Sequence, residues 1–438
     1  DLLSGLDCRL GETALVSRTQ RCDALERPVT RTQRRGTEPA HSDSFSYNGR
    51  NELTGAALGA APYGYSYDNI GNRKTAREPA QELAYAANEL NQYTRIEENA
   101  EAPFAPQYDA SGNQTLIRTS TGIWTVAYNA ANRAVSFTSR NGNTIIECGY
   151  DYQGRRYMKK VTQNGTVASH ERYLYRGYLQ IAAQDMLDNR NVLRTLLWDP
   201  LEPVATRPLA LAQDASLYCY GMDFNKNVTE VFDAQGNVAA AYDYSPYGQA
   251  ASTGDLVQPV QWSAEMHDED FALVYYNYRY YNPRDGRWIN RDPIAEKGGW
   301  NLYAFLGNST QDKFDTFGLQ ALDSLSNTVI QGLAAGKISE VATLLGYSTA
   351  AALVAALTEG GYKLKCKACN PPVGSQRQQC HRNHTHNGWN PHYHIFTVNQ
   401  SPIVAGCRCF DKRTTISNNP NYPEYTGRPT GGGIEVIK

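Results

Sequence analysis

The sequence predicts a mainly β protein, a strip of β-hairpins followed by a small α+β Cys/His-rich C-terminal domain. Three observations predict this. Tyrosine is over-used, with 30 Tyr against 11 Phe in 438 residues. Three of these tyrosines and one Phe open the same phrase, Tyr (or Phe)-Asp-x-x-Gly, and weaker copies of it recur. After Leu319 the tyrosines thin out, and cysteine and histidine then crowd together. A chain of this length has room for two or three domains.

The phrase carries the first part of the prediction. It reads Tyr67-Asp68-Asn69-Ile70-Gly71-Asn72, Tyr108-Asp109-Ala110-Ser111-Gly112-Asn113, Tyr150-Asp151-Tyr152-Gln153-Gly154-Arg155 and Phe232-Asp233-Ala234-Gln235-Gly236-Asn237. Weaker copies start at Tyr47, Tyr85 and Tyr128. Asp opens a turn by bonding its own backbone, and Gly supplies the positive-φ corner. Alternating segments such as Thr144–Tyr150 and Ile123–Tyr128 flank the turns and read as strands with one buried face. One hairpin alone is marginal, so the copies must stack side by side. A tyrosine suits such a strand with its ring packed and its hydroxyl in water.

Charge separates the body from the tail. Residues 320–438 carry 11 Lys and Arg against 6 Asp and Glu, although the whole chain has a net charge of -2. A mildly basic tail behind an acidic body suggests two units, one of which could meet an anionic partner such as nucleic acid. No run of 18 apolar residues occurs, so no stable transmembrane anchor is expected. The first residue is Asp1, so the sequence is expected to be part of a longer chain. Cys8, Cys22, Cys148 and Cys219 are scattered and read as buried thiols.

From Met222 to Leu319 the phrases become specific. Asn227–Val238 leads into Tyr242-Asp243-Tyr244-Ser245-Pro246-Tyr247-Gly248. Then come Leu273–Pro283, Gly286-Arg287-Trp288-Ile289-Asn290-Arg291-Asp292-Pro293, Trp300–Phe305 and Asp315-Thr316-Phe317-Gly318-Leu319. In this order the chain resembles Rhs/YD-repeat proteins and their repeat-associated core, a family related to toxin-complex C components and teneurins. The resemblance covers about Tyr47 to Leu319, with Asp1 to Ser46 as a degenerate extension. It implies a hairpin strip forming part of an Rhs shell. Residues 1–221 would be the repeats and 222–319 the core, with a helical linker over 320–362 and a Cys/His-rich effector over 363–438.

The resemblance also implies a self-cleavage site. In the family the core ends in Asp-Pro-x-Gly-Leu, and the chain cuts itself after that Leu with two aspartates. Carried over, these are Asp292, preceded by Arg291, and Asp315, with Leu319–Gln320 as the scissile bond. The chemistry stands on its own terms. Two close carboxylates cannot both ionise cheaply, so one keeps a proton and polarises the carbonyl while the other activates water. Arg291 could bias which one ionises. No cofactor is needed. Thr316 stands where the family usually has Pro and loosens the turn. On the residues alone, both aspartates could instead simply cap turns.

The tail holds the remaining chemistry. Ser324–Leu333 and Ile338–Leu357 have helical spacing. Cys366-x-x-Cys369 and Cys407-x-Cys409 could hold a structural zinc, and disulfides with Cys380 left over are the alternative. His392-Tyr393-His394 alternates, so both imidazoles would share one face of a strand. With His384 or His386 they could bind a catalytic metal or serve acid–base chemistry, or they could be surface polarity in a loop-rich domain. The family reading is a polymorphic toxin precursor, secreted or delivered at the cell surface. Its shell would release a C-terminal effector, for which a metal-dependent nuclease is one reading. Secretion or delivery machinery and a cognate immunity protein are its implied partners. The alternative is an adhesive cell-surface YD-repeat protein with a zinc-stabilised, non-catalytic tail.

Overall fold

The computed structural model describes residues 4–99, 101–199, 207–315 and 317–319, and, by backbone path alone, the strands at 322–323, 363–366, 376–381, 392–400, 408–417 and 434–437. Two compact units divide the chain, Leu2–Ser324 and Leu325–Lys438. Among the described residues the regular structure is β, broken only by three short 3-10 turns. The expected helices of the linker fall outside the described residues, so the α part of the C-terminal domain does too.

The first unit is a meander. One sheet of nine strands runs from Gly5–Leu10 to Tyr93–Glu98, and a second of fourteen runs from Gln107–Tyr108 to Ala250–Gly254. Every strand pairs antiparallel with the next in sequence. The registers shift where the strands enter the corners, at Ser46/Tyr47, Ser66/Tyr67, Ala127/Tyr128 and Gly149/Tyr150.

The corners obey one rule. In the Asp68 corner, Oδ1 accepts the N–H of Ile70 and Asn72, and Oδ2 accepts from the Asn72 amide. The Asp109 and Asp233 corners repeat these bonds. So does Asp223, a copy that the sequence phrase hides behind Met222. At Asp151 an Arg replaces the Asn, and Arg155 Nε bonds Oδ2. In the weaker copies Asn48, Asn88 and Asn129 take over the backbone bonds.

The tyrosine hydroxyls are not in water as expected. Tyr47, Tyr67, Tyr128, Tyr150 and Tyr244 donate to the carbonyls of Pro28, Leu53, Gln114, Ala134 and Val228. Each acceptor is the first residue after the preceding corner, so the hydroxyl ties one corner to the last. Burial pushes the Tyr67, Tyr128 and Tyr150 hydroxyls well above their usual titration range. The reason is geometric: each ring spans a neighbouring strand whose main-chain carbonyl would otherwise be short of a donor.

The strip wraps a densely buried segment. From Gln258 to Asn290 nearly every residue is inaccessible. Its Val260, Met266, Phe271, Leu273, Tyr275, Tyr280 and Ile289 complete the core of the second sheet. A second core of its own gathers Trp262, Tyr276, Tyr281, Trp288 and Phe305, with Tyr281 stacked on Phe305 at 3.7 Å between centroids. Among the described cysteines only Cys148 is fully buried, and Cys219 is exposed, against expectation. Cys219 faces out because its strand alternates and it falls on the solvent side.

The two ends of the strip meet through charge. Buried Glu230 accepts from Arg18 at 2.6 Å and from Arg35 at 2.7 Å. Glu230→Ala therefore strands a buried guanidinium. It should lower unfolding stability by about 3–5 kcal/mol, read as a lower urea midpoint.

Candidate active site

The segment after the second sheet docks on the row of corners. Tyr303 donates to the Gly112 carbonyl at 2.7 Å, Asn308 to that of Gly71 at 2.8 Å, and Asn301 to Asn72 Oδ1 at 2.8 Å. From the strip, Arg133 reaches the Asn277 carbonyl at 2.6 Å. Gly112 serves twice here. Its φ is +84°, and an added Cβ would lie 2.4 Å from Arg291 Cδ and 2.7 Å from the Tyr303 hydroxyl.

This docking brings Asp292 and Asp315 onto one guanidinium, that of Arg279. Arg279 begins the strand Arg279–Asn282. Its Nη2 lies 3.0 Å from Asp292 Oδ2 and 3.7 Å from Asp315 Oδ2. Its Nε donates to the Gly318 carbonyl at 2.6 Å. Its guanidinium lies 4.1 Å from the centre of the Trp288 ring. All four groups leave it 3% exposed. Burial draws Arg279 down to about 10, against the pull of the two carboxylates, so it stays charged at neutral pH.

The carboxylates are held differently. Asp292 Oδ1 accepts the Ile294 N–H at 2.9 Å, which leaves Oδ2 for Arg279. Asp315 Oδ1 accepts three N–H groups, from Phe317, Gly318 and Leu319, at 3.0, 2.7 and 3.2 Å. Asp315 thus caps a turn and also meets the guanidinium that Asp292 binds. Burial raises both carboxyls, with Arg279 opposing the rise in each. Phe317 is pinned in turn, because its carbonyl accepts the Tyr278 N–H at 3.0 Å. The chain around Leu319 is therefore laid against the acid pair. A cleft of about 530 Å³ opens over it, lined by Arg279, Trp288, Asp292, Gly298, Trp300 and Asp315.

Arg291 sits elsewhere. It is exposed, with its stem across the Gly112 corner. The cation that bridges the acids is Arg279, which sequence reasoning missed. The available signal was one arginine inside an otherwise aromatic run, Tyr275–Tyr281. Thr316 and Gln320 lie outside the described residues. In the second unit, His392 and His394 stand two apart on the strand His392–Gln400, and His381 pairs opposite His392. Cys366 and Cys409 lie on strands of different sheets, while Cys369, Cys407, His384 and His386 lie outside the described residues.

Comparison with known proteins bears on this arrangement. The family model described as teneurin YD-shell matches residues 3–308, well over half of the chain. The chain belongs to this YD-shell family. It is 27% identical to the toxin protein Tse5 of Pseudomonas aeruginosa over 328 residues, which is 61% of this chain and 24% of that protein. It is also 27% identical to the tRNA nuclease WapA of Bacillus subtilis over 259 residues, 56% of this chain and 10% of that one. The YD-shell chain therefore spans a quarter or less of these relatives. The Tc holotoxin pore of Photorhabdus luminescens shares the fold, with a TM-score of 0.50 and 16% identity over 70% of this chain and 18% of that one. The protein is a YD shell of the Rhs and Tc-toxin type with toxin and nuclease relatives. Among the described residues no helix is long and apolar enough to cross a membrane.

Arg279→Met removes the cation and leaves two carboxyls buried without one. Their folded pKa values then rise further above the unfolded values. The loss is fully felt at neutral pH, about 3–5 kcal/mol, and shrinks as falling pH protonates both groups. Urea denaturation at neutral and at acid pH reads the difference.

Proposed function

We propose that this YD shell cuts its own chain between Leu319 and Gln320 and so frees the C-terminal segment as an effector. One observation carries the reading: Arg279 holds both aspartates and the Gly318 carbonyl in a single buried contact. One cation offsets one carboxylate, so the pair is suited to share a proton. Asp315, with three N–H donors on Oδ1, is the better ionised partner and takes a proton from water. Asp292 keeps the proton and polarises the Leu319 carbonyl. Water adds its oxygen to the Leu319 carbonyl carbon, the bond to Gln320 breaks, and the proton goes to the departing amine. The tether supplies proximity, so no substrate has to be bound.

The freed segment is the cargo in this reading. The name of Tse5, a toxin, supports an effector, and that of WapA, a tRNA nuclease, supports one that acts on nucleic acid. Cys366, Cys369, Cys407 and Cys409 would hold a structural zinc, and His392 and His394 would serve its chemistry. Delivery machinery and an immunity protein would be its partners.

Intact mass under denaturing conditions tests the cut. The wild-type chain should give two fragments meeting at Leu319–Gln320, while Asp292→Asn and Asp315→Asn should each give one uncut chain. An uncut wild type would end the processing reading. The zinc content of the freed segment then separates a metal staple from disulfides.

A further inference from the structure

Gly298 lies where the acid pair meets the chain around Leu319. It ends the 3-10 turn Ala295–Gly298, six residues after Asp292. A Cβ added there would stand 2.4 Å from Asp292 Oδ2 and 3.2 Å from the Leu319 carbonyl oxygen. Both oxygens therefore border the space that a side chain would fill. Asp292 cannot easily yield, because its Oδ1 is tied to the Ile294 N–H and its Oδ2 to Arg279.

The backbone does not explain the glycine. Gly299 has a φ of +135°, yet nothing lies within 4 Å of its added Cβ. Gly298 is the reverse: it is absent from the left-handed glycines and is crowded. What position 298 requires is empty space, and position 299 requires conformation.

We propose that Gly298 is a positioning residue for the self-cleavage, the gap through which the Asp292 carboxyl reaches the Leu319 carbonyl. This rests on the processing reading above. A methyl group at 298 would push Asp292 Oδ2 off both Arg279 and the carbonyl. The shell itself would be spared, since neither oxygen belongs to the strip or to its cores.

The test is a time course of cleavage in the full chain, made by cell-free synthesis and sampled across a range of pH. Shell integrity is read in parallel by limited proteolysis. Gly298→Ala should cut roughly 100-fold more slowly while keeping a protease-resistant shell. Its alkaline limb should move to higher pH, because an acid displaced from its cation holds its proton longer. Gly299→Ala, strained but unobstructed, should keep the wild-type profile. Cleavage of Gly298→Ala at the wild-type rate would overturn the proposal. So would slow cleavage with an unmoved profile, or loss of the resistant shell, since either makes Gly298 merely structural. A wild type that never cuts would defeat the processing reading itself, a distinct outcome.

Discussion

A single buried cation organises the end of the shell. Arg279 is enclosed, and a guanidinium out of water is costly unless its donors and charge are met. Two carboxylates, one carbonyl and the face of Trp288 meet them. These partners come from two separate stretches of the sequence, Trp288 with Asp292 and Asp315 with Gly318. The contact fixes where Asp292 and Asp315 stand, and through the Gly318 carbonyl it fixes where the chain runs as it reaches Leu319. If Arg279 is lost, the acids lose their common anchor, and the turn at Asp315 keeps only the bond from the Tyr278 N–H to the Phe317 carbonyl and the Tyr178–Phe317 ring contact.

The rest of the fold holds that contact in place. The corners are regular because Asp Oδ1 accepts the same backbone donors each time, while the side chain of the following Asn or Arg donates to Oδ2. At five corners a tyrosine hydroxyl then ties the corner to an earlier one. This produces an ordered row of carbonyls and side chains, on which Tyr303, Asn301 and Asn308 dock. Since docking sets the place of the strand that bears Arg279, the geometry of the acid pair depends on bonds made far away in the strip. The ion group of Arg18, Arg35 and Glu230 joins the two ends of the strip around it.

Much of this was legible in the sequence, and what was missed has physical reasons. The Asp-x-x-Gly phrase located the corners because its bonds are local, spanning two to four residues. The same locality exposed Asp292 and Asp315 as turn residues. Arg279 is not legible, because its partners lie 9 to 39 residues away and nothing local marks them. Arg291 was favoured for its adjacency to Asp292, but adjacency in an extended chain points side chains apart. A half-buried strand face suggests tyrosine hydroxyls in water, but a hydroxyl's partner is the previous corner, which the local sequence does not mark. In the tail, cysteine and histidine spacing leaves metal and disulfides both open.

The central claim is that the acid pair under Arg279 acts on the chain at Leu319. N-terminal sequencing of the smaller fragment of the purified full chain tests it most directly. The account predicts a fragment beginning Gln-Ala-Leu-Asp, from Gln320 onward. A fragment that begins at any other residue, or a chain that yields no new N-terminus, would contradict it.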